Sequence, residues 1–271
     1  FFIVKINLGK TTNKEICHNS VVSRGANVLP DKAIPLNCKT NYICITKDGS
    51  CEKMSGSYEI KKIKSKDSKA AQQEVYKILA DEMVDCWWMF GEGKINYVGK
   101  EFWSDLYCSI CTQISFDNSL DIFESNEIDQ KNFYDYLSKT KIPGKDESYL
   151  SYLTGLNSFQ EMEESLRQNN FEFGKINLEK QHYIVMGIYS EIGAENWALV
   201  SAGAGLVFGG PMGAFIGGVV GYVGGPMLGT FIRGDSGHDY LVPTIIEANS
   251  AEFDKLNCKD IKTLALSLIH I

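Results

Sequence analysis

The chain has 271 residues, 44% hydrophobic and 23% charged, with a formal net charge of −7. That length supports one large or two small domains with a core that needs neither metals nor cross-links. The acidic balance excludes a nucleic-acid footprint, which requires a basic patch.

In chain order, residues 1–9 read as the end of an apolar run belonging to an N-terminal anchor. Residues 10–195 read as an α+β domain holding most of the cysteines. Asn41–Lys47 and Ser57–Ile63 carry the composition and alternation of strands. Asp48-Gly49 is a turn signal between them, so the two are expected to form part of a hairpin whose long loop carries Cys51. The basic cluster Lys61, Lys62, Lys64, Lys66 and Lys69 begins on the second of these strands. It reads as a solvated edge, where lysine discourages sheet-to-sheet pairing.

A long helix is predicted over 68–90, capped by Asp67 or Ser68, with Val75, Leu79, Met83, Cys86 and Phe90 on one face and Gly91 as its stop. A strand is predicted over 106–117 and a short helix over 129–139, with Phe133, Tyr136 and Leu137 inward. Ser158 and Glu161 form a capping box for a helix over 159–168. Strands are predicted over 182–190 and 240–247, and Pro243 assigns the latter to a sheet edge or a bulge. A short helix over 250–257 ends at Cys258. No regular βαβ alternation appears, so the sheet is expected to be mixed or antiparallel.

Residues 196–232 contain no Asp, Glu, Lys, Arg or His. Within them Gly205, Gly209, Gly213, Gly217, Gly221, Gly225 and Gly229 recur every four residues. On a helix this spacing makes one stripe without side chains, along which a second backbone packs closely in lipid. Gly209-Gly210-Pro211-Met212 returns as Gly224-Gly225-Pro226-Met227. A straight helix over the whole segment would be about 55 Å long against roughly 30 Å of hydrocarbon. A single span, a hairpin and a re-entrant insertion are all compatible with it, and the alternative is a glycine-rich helical pair buried in a globular core. Residues 233–264 read as a return to the α+β domain, and 265–271 as a non-native tail.

Eight cysteines, Cys17, Cys38, Cys44, Cys51, Cys86, Cys108, Cys111 and Cys258, admit three readings: structural disulfides, a zinc site and a redox pair at Cys108-x-x-Cys111. The flanks of Cys108-x-x-Cys111 are those of a strand, which places the two on opposite faces and away from a helix dipole. Disulfides are the preferred reading, and Cys258 is expected to tie the tail back to the main domain. Eight cysteines allow 105 pairings. Gly234-Asp235-Ser236-Gly237 resembles a protease nucleophile loop but reads better as a turn. Gly91-Glu92-Gly93-Lys94 lacks phosphate-loop spacing. Asp81, Glu82 and Asp85 read as a solvated helix face.

Cys86-Trp87-Trp88-Met89-Phe90-Gly91-Glu92-Gly93-Lys94, the Cys108-x-x-Cys111 strand ending Ile114-Ser115-Phe116-Asp117, Tyr152-Leu153-Thr154-Gly155, the glycine-rich segment and Leu256-Asn257-Cys258 together resemble an uncharacterised group of membrane-anchored proteins from small-genome archaea. The resemblance covers roughly residues 16–260. It implies an N-terminal anchor and a domain outside the cytoplasm, and it carries no activity or catalytic residues. The expectation is a non-catalytic, membrane-anchored surface or assembly component with no cofactor. Its partners would be the membrane and either further copies of itself or a membrane protein met through the glycine stripe. A membrane-active oligomer and an extracytoplasmic thiol–disulfide enzyme using Cys108 and Cys111 are the alternatives.

Overall fold

The computed structural model describes residues 12–26, 34–98, 106–123, 126–168, 172–189, 219–221 and 227–260. Helix α1 (Asn13–Gly25) opens on Thr12, whose side chain accepts from the Glu15 amide while the Glu15 carboxylate accepts from the Thr12 amide. This reciprocal pair satisfies two donors that have no intrahelical partner. Strands β1 (Asn41–Thr46) and β2 (Glu59–Lys62) lead into helix α2 (Ser68–Met89). The Asp67 side chain caps α2 by accepting from the Ala70 amide. Gly91, at φ 78°, supplies the left-handed residue just beyond its end. Val75, Leu79, Met83 and Cys86 are buried along one face.

Strand β3 (Leu106–Phe116) follows. The short β4 (Glu127–Asp129) and β5 (Lys175–Asn177) pair with each other and flank helices α3 (Gln130–Lys139), α4 (Tyr149–Thr154) and α5 (Phe159–Gln168). At the start of α5, Ser158 Oγ accepts from the Glu161 amide and the Glu161 carboxylate from the Asn157 amide. Strands β6 (His182–Tyr189), β7 (Val219–Gly221), β8 (Met227–Arg233) and β9 (Asp239–Glu247), helix α6 (Ala251–Lys255) and β10 (Lys259–Asp260) complete the described chain.

One mixed sheet orders its strands β2-β1-β3-β6-β9-β8-β7, with β10 also paired to β3. The fold is α+β. Helices α1 to α4 and the main core lie on one face of the sheet, where Ile43, Leu79, Phe116, Ile184 and Tyr240 are buried together. The opposite face carries a smaller cluster of Leu106, Cys108, Val185, Leu241, Ile246 and Leu256, with Phe253 of α6 against it. Among the described residues no helix is long and apolar enough to cross a membrane.

Two expectations are corrected and one is narrowed. β1 and β2 are parallel, not a hairpin: Ile43 aligns with Glu59 and Thr46 with Lys62. The chain turns at Asp48-Gly49 and is held beside Cys44 by the Cys44–Cys51 disulfide. It then retraces the length of β1 before starting β2 in the same direction. Of the two settings expected for Pro243, an edge or a bulge, the structure has the bulge, since β9 lies between β6 and β8. Pro243 is tolerated because the register against β6 shifts between Val185 and Gly187, and pairing with β8 stops at Leu241. The missing proline N–H then falls at a bulge, outside the β8 ladder.

The other correction is that two glycines of the expected helical stripe lie on strands. Gly221 ends β7, and Gly229 of β8 stands opposite Val220. The local residues Val219, Val220, Thr230, Phe231 and Ile232 are β-branched or aromatic, and pairing with β9 uses the backbone groups that a helix would have kept for itself. Gly205, Gly209, Gly213, Gly217 and Gly225 lie outside the described residues, as do 1–9 and 265–271.

Candidate functional site

All eight cysteines are bonded, as Cys17–Cys38, Cys44–Cys51, Cys86–Cys111 and Cys108–Cys258. Strand geometry explains why Cys108 and Cys111 take different partners. Side chains alternate across β3: Tyr107 joins the core on the helical face, and Cys108 joins the cluster on the other face. There Cys258 arrives after α6. The register of β3 against β6 then shifts between Ile110 and Thr112. This bulge turns both Cys111 and Thr112 to the helical face. Cys111 bonds Cys86 on the buried stripe of α2, and Thr112 Oγ1 donates to Glu82 at 3.0 Å. The Cys-x-x-Cys is thus neither a dithiol nor a zinc half-site. Among the described residues no group of three or more His, Cys, Asp or Glu is placed to hold a metal ion.

The same stretch of β3 borders an opening. β10 pairs with its flank at Tyr107 and Cys108, and β1 pairs with the same flank from Thr112 onward. Between them lies a cavity of about 420 Å³, within the size range of small-molecule sites. Its wall includes Cys38, Cys108, Cys111 and Cys258, which belong to three of the four disulfides. Thr40 Oγ1 donates to the Ile110 carbonyl at 2.9 Å. Ser109 also lines the cavity, is 8% exposed, and its hydroxyl has no hydrogen-bond partner among the described residues.

No protein family, curated protein or solved structure matches this chain. The site is defined by its own geometry.

The carboxylates of α2 are not the solvated face expected from the sequence. Glu82 is 3% exposed and holds Lys14 Nζ at 3.1 Å as well as the Thr112 hydroxyl. Lys61 Nζ lies 3.6 Å from its other oxygen. Asp81 accepts from the Tyr149 hydroxyl and pairs with Lys77, while Asp85 pairs with Lys14. This group pairs each carboxylate with a lysine and links α1, α2, α4 and the sheet.

The two loops set aside in the sequence reading pack on each other. The Ser236 amide donates to the Gly93 carbonyl, and the Tyr240 hydroxyl to the Ile95 carbonyl. Ser236 Oγ shares a hydrogen bond with the Tyr240 hydroxyl at 2.7 Å, while His238 Nδ1 meets the Tyr189 carbonyl at 2.8 Å. Both side chains serve the turn. Beside it, burial pushes the Glu92 carboxyl upward. Hydrogen bonds from Lys94 and the Tyr152 hydroxyl, with Lys145 nearby, outweigh burial and hold the group below the usual range.

Two further groups have no sequence signature. Asp48 and Asp117 approach each other at the ends of β1 and β3. Asp48 accepts from the Ser50 amide and hydroxyl and from Thr46, which hold its pKa down to about 2. Burial raises the Asp117 carboxyl, but donors from Ser119 and Glu52 bring it below its ordinary value. These oxygens are engaged by the chain's own donors. His182 is 2% exposed, has its ring against Phe116, and burial drives its pKa down to about 4.

Proposed function

We propose that the protein is a non-catalytic, disulfide-braced domain that works outside the cytoplasm at a membrane, as a surface or assembly component. The observation carrying this reading is the complete pairing of eight cysteines into four bonds. Such cross-links persist in oxidising compartments and are rare in reducing ones. Each bond joins separate pieces of chain, and none presents a dithiol for exchange. In this reading the uncharged, glycine-rich stretch preceding β7 supplies the contact with the membrane or with a membrane partner.

Alkylation of the natively exported protein before reduction, followed by peptide mass spectrometry, tests the proposal. The expected result is four cross-linked peptide pairs with the pairings above. Alkylated cysteines at most of the eight positions would overturn it. An insulin-reduction assay is expected to show no turnover, and robust turnover lost in Cys108→Ser would replace this reading with a thiol–disulfide enzyme.

A further inference from the structure

The sheet ends at β2, and among the described residues the outer flank of that strand has no partner strand. Backbone groups alternate in direction along a strand. The Ile63 amide donates to the Thr46 carbonyl, so Glu59, Lys61 and Ile63 turn their backbone groups toward β1. Ile60 and Lys62 turn theirs outward. Just beyond, Glu74 accepts from the Lys64 and Ser65 amides and closes the edge. The open part is short and lies beside exposed apolar surface, with Ile60 45% and Tyr42 47% exposed. Ile60 aligns with Cys44, and Lys61 with Ile45 of the main core. Ile60 therefore lies on the face opposite the helices, and Lys61 on the helical face near Glu82.

An unpaired edge is a template for another strand, and lysine is a common guard against it. Two copies of β2 pairing antiparallel about a two-fold axis must set outward residues against outward residues. Lys62 against Lys62 puts like charges directly opposite, which is destabilising. Ile60 against Lys62 does the same, because Lys61 then meets Lys61. Ile60 against Ile60 is free of this conflict. In that register Glu59 faces Lys61 of the other copy on both sides of the axis, Lys62 faces Tyr58, and Lys64 faces Gly56. Glu59 and Lys61 already pair within one copy at 2.8 Å, so acid and base alternate around the axis. The lysines thus select one register and reject the others.

We propose that β2 is the docking edge for a second copy of this chain, paired antiparallel about a two-fold axis through Ile60. The occupant follows from the edge itself: Glu59-Ile60-Lys61 read against its own reverse sets apolar on apolar and acid on base. The contact is short, so the dimer is weak and concentration-dependent. The inference rests on the sheet edge alone and uses neither the cysteines nor the glycine-rich stretch.

Analytical ultracentrifugation of the intact, oxidised chain from micromolar to near-millimolar concentration tests it. The parent should pass from monomer to dimer across this range. Ile60→Pro removes the outward amide at the axis and leaves the bonds to β1 in place. It should melt with the parent and stay monomeric. Glu59→Lys and Lys61→Glu each set like charges against each other across the axis and should weaken self-association by about tenfold. Mixed in equal amounts, the two charge variants restore acid against base, and the mixed dimer should form with close to the parent's affinity. This comparison stands whether or not Ile60→Pro folds. A parent that stays monomeric throughout would overturn the proposal. So would dimers that persist unchanged in a folded Ile60→Pro, or the absence of any gain on mixing the charge variants. None of these outcomes would alter the cysteine pairing on which the proposed function rests.

Discussion

His182 pairs across the sheet with Ile114 on one side and Glu247 on the other, and its ring meets Phe116 edge-on. Desolvation disfavours the imidazolium, so the folded pKa of about 4 lies below the ordinary 6.5. The unfolded chain binds this proton more readily than the folded one. Stability from His182 is therefore complete above about pH 6.5 and is lost as pH falls toward 4, by roughly 3 kcal/mol. Urea unfolding of the parent and His182→Phe between pH 7 and 4.5 should show a shallower decline in the variant; parallel declines would refute the assignment. Glu82 is a buried carboxylate held by Lys14, with Lys61 nearby, and by the Thr112 hydroxyl. Thr112→Val removes the one neutral donor to it among the described residues and should destabilise by about 1–3 kcal/mol, read as a lower urea midpoint. A neutral substitution would mean that the lysines suffice.

Elements meet closely where the β8–β9 turn crosses the loop after α2. A Cβ on Gly234 would stand 2.1 Å from the Gly93 carbonyl oxygen and 2.5 Å from Tyr240 Cε2. The first contact is backbone, so a rotamer change cannot relieve it. Gly234→Ala should destabilise by about 3 kcal/mol, near the top of the overpacking range, and a thermal melt within a degree of the parent would show that the two loops separate freely. The helix predicted over 68–90 and the Ser158–Glu161 cap agree with the structure because caps and 3.6-residue periodicity are local signals. The parallel β1–β2 pair was not legible. A turn signal such as Asp48-Gly49 reports that the chain reverses, not that it reverses again before pairing. The bulge at Cys111 was equally hidden: it exists only relative to β6, and it alone brings Thr112 to Glu82.

Across the whole molecule the disulfides differ most in the length of chain they close. Cys108–Cys258 spans 150 residues and ties the segment after β9 to β3, whereas Cys44–Cys51 spans 7 and steadies a single turn. Loop-closure entropy assigns about 5 kcal/mol to the long loop and about 2.5 kcal/mol to the short one. Paired Cys→Ala replacement of each bond, followed by urea denaturation, should show the larger loss for Cys108 and Cys258. Equal losses would mean that the unfolded chain is already compact along that span. The first replacement should also loosen α6 against the second sheet face, measurable as faster amide exchange in residues 251–256 relative to α2.

The sequence by itself determined the elements whose cause is local: the long capped helix, the period-two strands, the turns at Asp48-Gly49 and Gly234–Gly237, and the opposed faces of Cys108 and Cys111. It also determined that cysteine is abundant enough for a disulfide framework, and that the tail carrying Cys258 must lie somewhere relative to the rest. Only the tertiary structure decided which cysteine met which, because pairing depends on distances between segments up to 150 residues apart. It also placed Gly221 and Gly229 on strands, where pairing between strands replaced the helical hydrogen bonds that a four-residue glycine spacing implies. The cavity at Ser109 belongs to the same class. It is lined by residues from α2, β3, α6 and the segments leading into β1 and β10, and no single stretch of sequence records that meeting.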